Sequence, residues 1–149
     1  VNWLKRLLSG KPHFVIGGHD DPYMLRWYLI PRNRRLNIYL HKFLRDDEDR
    51  ALHDHPWWFV SLMLKGRYIE ITPDGTNFRG PFSIAFRRAT HQHRVVLYGD
   101  PLGQKDPCWT LIVTGRKKRT WGFWCPKGFV PWHKFVDDND TGNIGRGCD

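Results

Sequence analysis

Two histidines one residue apart, His53-Asp54-His55, are the residues of this chain whose type and spacing point most directly to chemistry. On an extended segment side chains alternate sides, so both imidazoles project from one face and can meet a single metal ion while Asp54 points the other way. A third imidazole must come from elsewhere, and the other His-x-His pair, His91-Gln92-His93, is the best source. Two such pairs in a chain with eight histidines are a more specific signal than a lone pair, whose ordinary role is that of a satisfied core residue. The apolar run 59–64 that follows His53-Asp54-His55-Pro56-Trp57-Trp58 reads as the strand that positions the first pair.

The elements around these residues are short and β-rich. Strands are expected over 14–16, 23–30, 36–44, 57–64, 67–72, 82–86, 93–97, 108–114 and 120–125, with the His53-Asp54-His55 segment as a tenth. Gly66 reads as the left-handed residue of a hairpin joining 57–64 to 67–72, and Pro73-Asp74-Gly75 as the next turn. Asn2 can cap a short amphipathic helix running to about Leu8, ended by Gly10 and Pro12. Ten strands without a long helix predict a sandwich or barrel rather than a parallel sheet between helices. The acidic stretch 46–50 lacks the glycine and ligand spacing of a calcium loop and reads as solvated.

Composition narrows the class. A chain of 149 residues with 40% hydrophobic and 15% aromatic content, including eight tryptophans, suits one domain with large rings in its interior. No apolar stretch reaches the ~18 residues of a membrane span, and the opening Val1-Asn2-Trp3-Leu4-Lys5 does not read as a secretory signal. Three cysteines, Cys108, Cys125 and Cys148, form no Cys-x-x-Cys pair, which favours buried thiols and a reducing compartment over a disulfide framework or zinc ribbon. The expectation is a soluble cytoplasmic protein without membrane attachment. A net charge of +9 favours anionic partners.

His53-Asp54-His55, Gly66 and the later Gly80 to His93-Arg94-Val95 resemble the two signatures of the cupin superfamily over about residues 36–113. The resemblance implies an all-β, jelly-roll β-barrel carrying a short N-terminal helix. It divides the chain into a helical extension (1–12), a cupin barrel (13–136) and a flexible C-terminal tail (137–149). It also implies that His53, His55 and His93 are metal ligands, with His91 as an additional ligand, a supporting partner or the true third ligand. The family's glutamate, three or four residues after the second histidine, is replaced here by Phe59 or Val60. Three neutral imidazoles leave a metal's charge uncompensated and favour an anionic or chelating ligand, as in cupins resembling thiol dioxygenases. The expected cofactor is a divalent transition metal, Fe(II) first, with Zn, Mn or Ni as alternatives.

Function follows as an expectation: an oxygenase-type metal enzyme acting on a small anionic substrate. A non-catalytic ligand-binding cupin and a basic nucleic-acid-associated protein are the alternatives, and the resemblance implies a homodimer. Arg87 and Arg88 are the candidate substrate-binding residues, since strand alternation turns one of them inward. Glu70 reads as an outward-facing surface residue, although it is also the nearest replacement carboxylate, and His41 is a candidate for the same cavity. Trp57, Phe59, Trp109 and Trp121 read as core. Two basic stretches, Arg32-Asn33-Arg34-Arg35 and Arg116-Lys117-Lys118-Arg119, fall at turns, and would form a polyanion footprint if both tips lay on one rim.

Overall fold

The computed structural model describes residues 2–47, 51–139 and 144–149. The short helix α1 (Trp3–Leu8) is capped by Asn2, whose side-chain oxygen accepts a hydrogen bond from the Leu4 amide at 3.0 Å. Twelve strands follow: β1 (Phe14–Ile16), β2 (Met24–Tyr28), β3 (Asn37–Phe43), β4 (Leu52–His53), β5 (Phe59–Lys65), β6 (Tyr68–Thr72), β7 (Gly75–Arg79), β8 (Ile84–Arg87), β9 (Arg94–Leu97), β10 (Cys108–Thr114), β11 (Gly122–Cys125) and β12 (Gly128–Pro131). A single helical turn, α2 (Trp132–Phe135), packs behind β11 and β12.

The strands form one six-stranded sheet, β1-β2-β3-β10-β5-β8, and two three-stranded sheets, β12-β11-β4 and β7-β6-β9, all antiparallel. The two small sheets are joined where the backbones of His53 and His93 exchange reciprocal hydrogen bonds of 3.0 Å. The architecture is mostly β, as expected, but the sheets do not close into a barrel. The expected hairpin across Gly66 is also corrected. β5 already has partners on both edges, β10 and β8, so the turn carries the chain into the other sheet, where β6 pairs with β7 and β9. Gly66 has φ +84°, and a Cβ there would meet the Pro107 carbonyl at 2.8 Å, so the crossing needs a glycine.

Strand alternation builds an interior that is partly polar. Tyr39 and His41 on β3, Phe59, Ser61 and Met63 on β5, and Thr110 and Ile112 on β10 are buried, while the residues between them are not. At one end Met63, Tyr68, Val95, Leu97 and Cys108 pack β6 and β9 against the large sheet. Toward the other, Tyr39, Phe59 and Ile112 form a second apolar cluster with Tyr28 and Trp57. Trp109 takes the opposite face, stacked on Trp27 at 5.4 Å, whereas Trp121 joins a third cluster around Phe123 and Phe135.

Three further expectations change. Asp46 and Asp47 are not solvated loop residues: Asp47 Oδ2 accepts from the Val95 amide at 2.7 Å and Asp46 Oδ1 from the Leu97 amide at 2.7 Å, which ties the approach of β4 to β9. The remainder of that acidic stretch, 48–50, lies outside the described residues. Cys108 is a buried free thiol, pushed up to about 12 by burial. Cys125 and Cys148, however, are joined by a disulfide, which removes the ground for expecting a reducing compartment. The tail expected to be loose is fastened over 144–149 by that bond and by hydrogen bonds from the Gly145 and Gly147 amides to the Phe135 carbonyl.

Asp54, between the two histidines, secures this part of the fold. It is 1% exposed, accepts hydrogen bonds from the Gly122 amide (2.9 Å) and Trp124 Nε1 (3.0 Å), and pairs with Arg119 at 2.8 Å. Removing it leaves three donors facing an empty space. Asp54→Ala is expected to cost about 3 kcal/mol, read as a lowered urea midpoint at unchanged m-value; a midpoint within experimental error of the parent would reject this role.

Candidate metal centre

His53 sits at the end of β4, His55 just beyond it, and His93 immediately before β9. Each offers one ring nitrogen lying within 4.8 Å of the other two. The ring centroids are 5.2 Å apart for His53 and His55 and 4.8 Å for each of these with His93. The structure thus brings together the three residues that the two His-x-His pairs suggested. His91 joins a second, overlapping group with Glu70 and His93, again with donor atoms within 4.8 Å.

Glu70 is the main correction at the site. It is 1% exposed, not a surface residue, and every donor around it points at its carboxylate. Oε1 lies 2.8 Å from His93 Nδ1 and 3.0 Å from His91 Nε2, while Oε2 accepts from Arg87 Nη2 at 2.8 Å and from Arg79 at 3.4 Å. Burial works to raise its pKa, but the hydrogen bonds from His91, His93 and Arg87 outweigh it and hold the carboxylate far below its usual range. A second carboxylate, Asp47, stands 3.6 Å from His53 Nδ1. The signal for Glu70 was its parity with the aromatic Tyr68 on the same short strand, two residues earlier.

The donor set fits a divalent metal. His93 Nδ1 is engaged by Glu70, so its Nε2 is the nitrogen left for an ion, the arrangement in which a carboxylate fixes the tautomer of a metal-binding histidine. His55 Nδ1 is buried and has no hydrogen-bond partner, an orphan that a ligand or ion would satisfy. Metal ligation requires neutral imidazole, and burial pushes His55 well below its ordinary value and His93 down to about 4, in each case aided by the neighbouring histidines. Charge compensation, missing from the sequence reading, is supplied at one remove by Glu70 and Asp47.

Of the two candidate arginines, Arg87 turns inward and is engaged by Glu70, whereas Arg88 is exposed. Both line an open cleft of about 340 Å³ with Phe86, Thr90 and His91. The interior holds another guanidinium that sequence reasoning passed over. Arg26 on β2 donates to His41 Nε2 at 2.8 Å and lies 4.6 Å over the Tyr39 ring, and among the described residues it has no carboxylate partner. Register places Arg26, His41 and Thr110 side by side on three adjacent strands, and Thr110 Oγ1 is buried without a hydrogen-bond partner. Phe59 links the two regions: its ring is 4.6 Å from that of His55 and 6.1 Å from that of His93, and it shares a cluster with Tyr39.

No protein-family model matches this sequence, and no curated protein matches it significantly. Solved structures do match. A cupin superfamily protein from Desulfitobacterium hafniense DCB-2 aligns with a TM-score of 0.50 at 17% identity, covering 67% of this chain and 84% of its own. A sugar phosphate isomerase from a cupin superfamily, from Silicibacter pomeroyi, aligns at 0.51 and 15% identity over 72% and 74% of the two chains. The polyketide cyclase RemF from Streptomyces resistomycificus aligns at 0.52 and 20% identity over 72% and 78%. The fold is therefore similar to that of solved cupin structures. At these identities the likeness carries fold and not reaction. No helix among the described residues is long and apolar enough to cross a membrane.

The neutral histidines give a pH dependence with a definite sign. An unfolded chain takes up protons on His55 and His93 near the ordinary value of 6.5, before the folded chain does. Their contribution is complete above that value and is lost as the pH falls toward about 4, where folded His93 titrates. The melting temperature is expected to drop steadily across this window and to drop less steeply in His93→Gln. A flat profile for the parent, or parallel profiles for the two, would contradict buried neutral rings.

Proposed function

We propose that this chain is a metal-dependent cupin enzyme that holds a divalent transition metal, Fe(II) first among the candidates, on His53, His55 and His93 and acts on a small anionic substrate by oxygenase-type chemistry. The observation that carries the reading is the convergence of three imidazoles, His55 and His93 buried and His53 half-buried, with His93 backed by Glu70, His53 by Asp47, and an orphaned nitrogen on His55. An iron(II) ion in such a set supplies Lewis acidity and one-electron chemistry with dioxygen.

The chain's own residues divide the remaining work. Glu70 keeps His93 in one tautomer and, through Arg87 and Arg79, ties β6 to β7 and β8, so the ring cannot swing away from its neighbours. Phe59 packs on His55 and His93 and keeps water from one side of the cluster. Arg26 is the residue to hold the substrate's anionic group, because its guanidinium retains free donors in an interior where charge is costly to leave unpaired. His41, held neutral by burial and by the adjacent Arg26, accepts the one Arg26 hydrogen bond and fixes the direction of the fork. The sugar phosphate isomerase among the structural neighbours acts on an anionic compound, which is consistent with an anion in this interior.

Metal analysis of protein prepared without a histidine tag tests the reading. About one equivalent of a transition metal is expected in the parent and little in His53→Ala or His55→Ala, while Glu70→Gln is expected to weaken metal affinity about 10-fold or more. Retention of metal by His53→Ala would refute the site. Arg26→Met should leave the metal in place and raise KM for an anionic substrate in oxygen-consumption assays over a panel of thiols, amino acids and nucleotides; loss of metal in that variant would instead give Arg26 a structural role.

A further inference from the structure

The two basic turns fall on the same rim. Register aligns Asn37, Thr114, Phe59 and Arg87 as one row across the adjacent strands β3, β10, β5 and β8. Whatever leaves the sheet beyond that row emerges at one end. Arg32, Arg34 and Arg35 precede β3, Arg116, Lys117 and Lys118 follow β10, and Arg88 follows β8. All seven are exposed, and among the described residues none has an ion-pair partner. Four strands at ~4.8 Å spacing make this arc roughly 14 Å wide at the sheet alone.

Acidic residues collect at the other end. The pairings of Phe43 with Met24 and with Cys108 place there the loops carrying Asp20 and Asp21, Asp46 and Asp47, and Asp100 and Asp106. Arg45 pairs there with Asp21 and Lys105 with Asp46, so those acids are partly neutralised, whereas the seven cations of the basic rim are not; the net charge of +9 is weighted toward the rim. A field of that form orients an approaching polyanion toward the basic rim.

The rim also offers an aromatic face. Phe86 is 59% exposed and stacks on Trp58, with centroids 6.0 Å apart and planes at 29°. Trp58 in turn is pressed against Gly115 at the base of the basic loop, so closely that a Cβ there would lie 2.1 Å from the indole nitrogen. The open cleft of about 340 Å³ beside them is lined by Phe86, Arg87, Arg88, Thr90 and His91. The adjoining cleft includes a single acid, Asp74. A flat ring next to guanidinium groups is the pairing that takes a base and its phosphate together. The outer face of β8 exposes Ile84 as well as Phe86, but Ile84 pairs with Leu62 and lies away from the row at Phe59 and Arg87. The loops carrying six of the seven cations offer only Leu36 as an exposed large hydrophobic, whereas a lipid surface would need apolar residues among the charges.

We propose that this rim binds single-stranded nucleic acid, with the phosphates on the two basic loops and Arg88 and a base stacked on Phe86. The proposal rests on the loops and the outer face of β8, so it stands or falls apart from the metal reading. The test is fluorescence anisotropy of a labelled single-stranded oligonucleotide of about 20 nucleotides with the full chain at about 50 and 200 mM salt. Binding is expected at low salt, weakening by about 100-fold or more at the higher salt. The quadruple reversal Arg34→Glu, Arg35→Glu, Lys117→Glu and Lys118→Glu should abolish it with the circular dichroism spectrum unchanged. Phe86→Ala should weaken binding about tenfold while leaving the salt slope intact. Absence of binding by the parent at low salt overturns the proposal, as does undiminished binding by the charge-reversed chain. Capture on phosphatidylserine vesicles without oligonucleotide binding would assign the rim to membranes instead.

Discussion

The reciprocal backbone pair between His53 and His93 is the constraint on which both the fold and the candidate site depend. Among the described residues it is the backbone bridge that joins the sheets β12-β11-β4 and β7-β6-β9. Residues directly opposite in an antiparallel pair present their side chains on the same face, so the bond that joins the sheets also sets two imidazoles side by side, 4.8 Å apart. Because the joint is made by main-chain groups, replacing either ring can remove ligation without parting the sheets. The candidate metal site and the joint between the sheets are thus open to separate mutation even though they share residues.

Around that seam the polar interior is organised by pairing each buried charge with several donors. Glu70 receives hydrogen bonds from four side chains on three other elements, and Asp54 is held by three groups on the far side of the same strand segment. Both carboxylates therefore behave as multipoint fasteners, which offsets the desolvation each suffers. Arg26 breaks this pattern. It has one neutral hydrogen-bond partner and a π face where the other buried charges have opposite charges. That unpaired guanidinium, beside the orphaned hydroxyl of Thr110, is the feature on which the proposed anion-binding role of Arg26 rests.

How much of this was legible in the sequence depended on whether the information was local. The His-x-His spacing and the alternation along 37–43 and 108–114 are local, and the structure has the strands and burial they imply. The paths between sheets are not local. Nothing near Gly66 distinguishes a hairpin from a crossing between sheets; the distinction is made by β8 and β10 having occupied both edges of β5. Glu70 was misplaced for the same reason, since a charged residue on a short strand reads as outward until its partners, His91 and Arg87, are known to converge from other strands. The Cys125–Cys148 bond likewise spans 23 residues and depends on the fold of β12 and α2 to return the tail to β11. The weakly apolar β7, Gly75-Thr76-Asn77-Phe78-Arg79, gave no strand signal because its ladder with β6, not its composition, makes it a strand.

The charge distribution and the histidine cluster occupy the same end of the molecule, and the connection is physical. The basic loop 115–119 is bound to the segment that carries His55: the Lys118 amide donates to the Pro56 carbonyl at 2.8 Å, and Arg119 reaches the His55 carbonyl at 3.2 Å. Because the Lys118 contact is made by the main chain, the loop stays anchored beside the site whatever charge its side chains carry. Arg88 lines the cleft beside Arg87 and His91, so one of the rim's cations stands at the cleft itself, within the screening length of about 8 Å at physiological salt. The proposed polyanion surface and the candidate metal site therefore share one end of the molecule while using different residues, the rim its exposed cations and the site its half-buried and buried imidazoles.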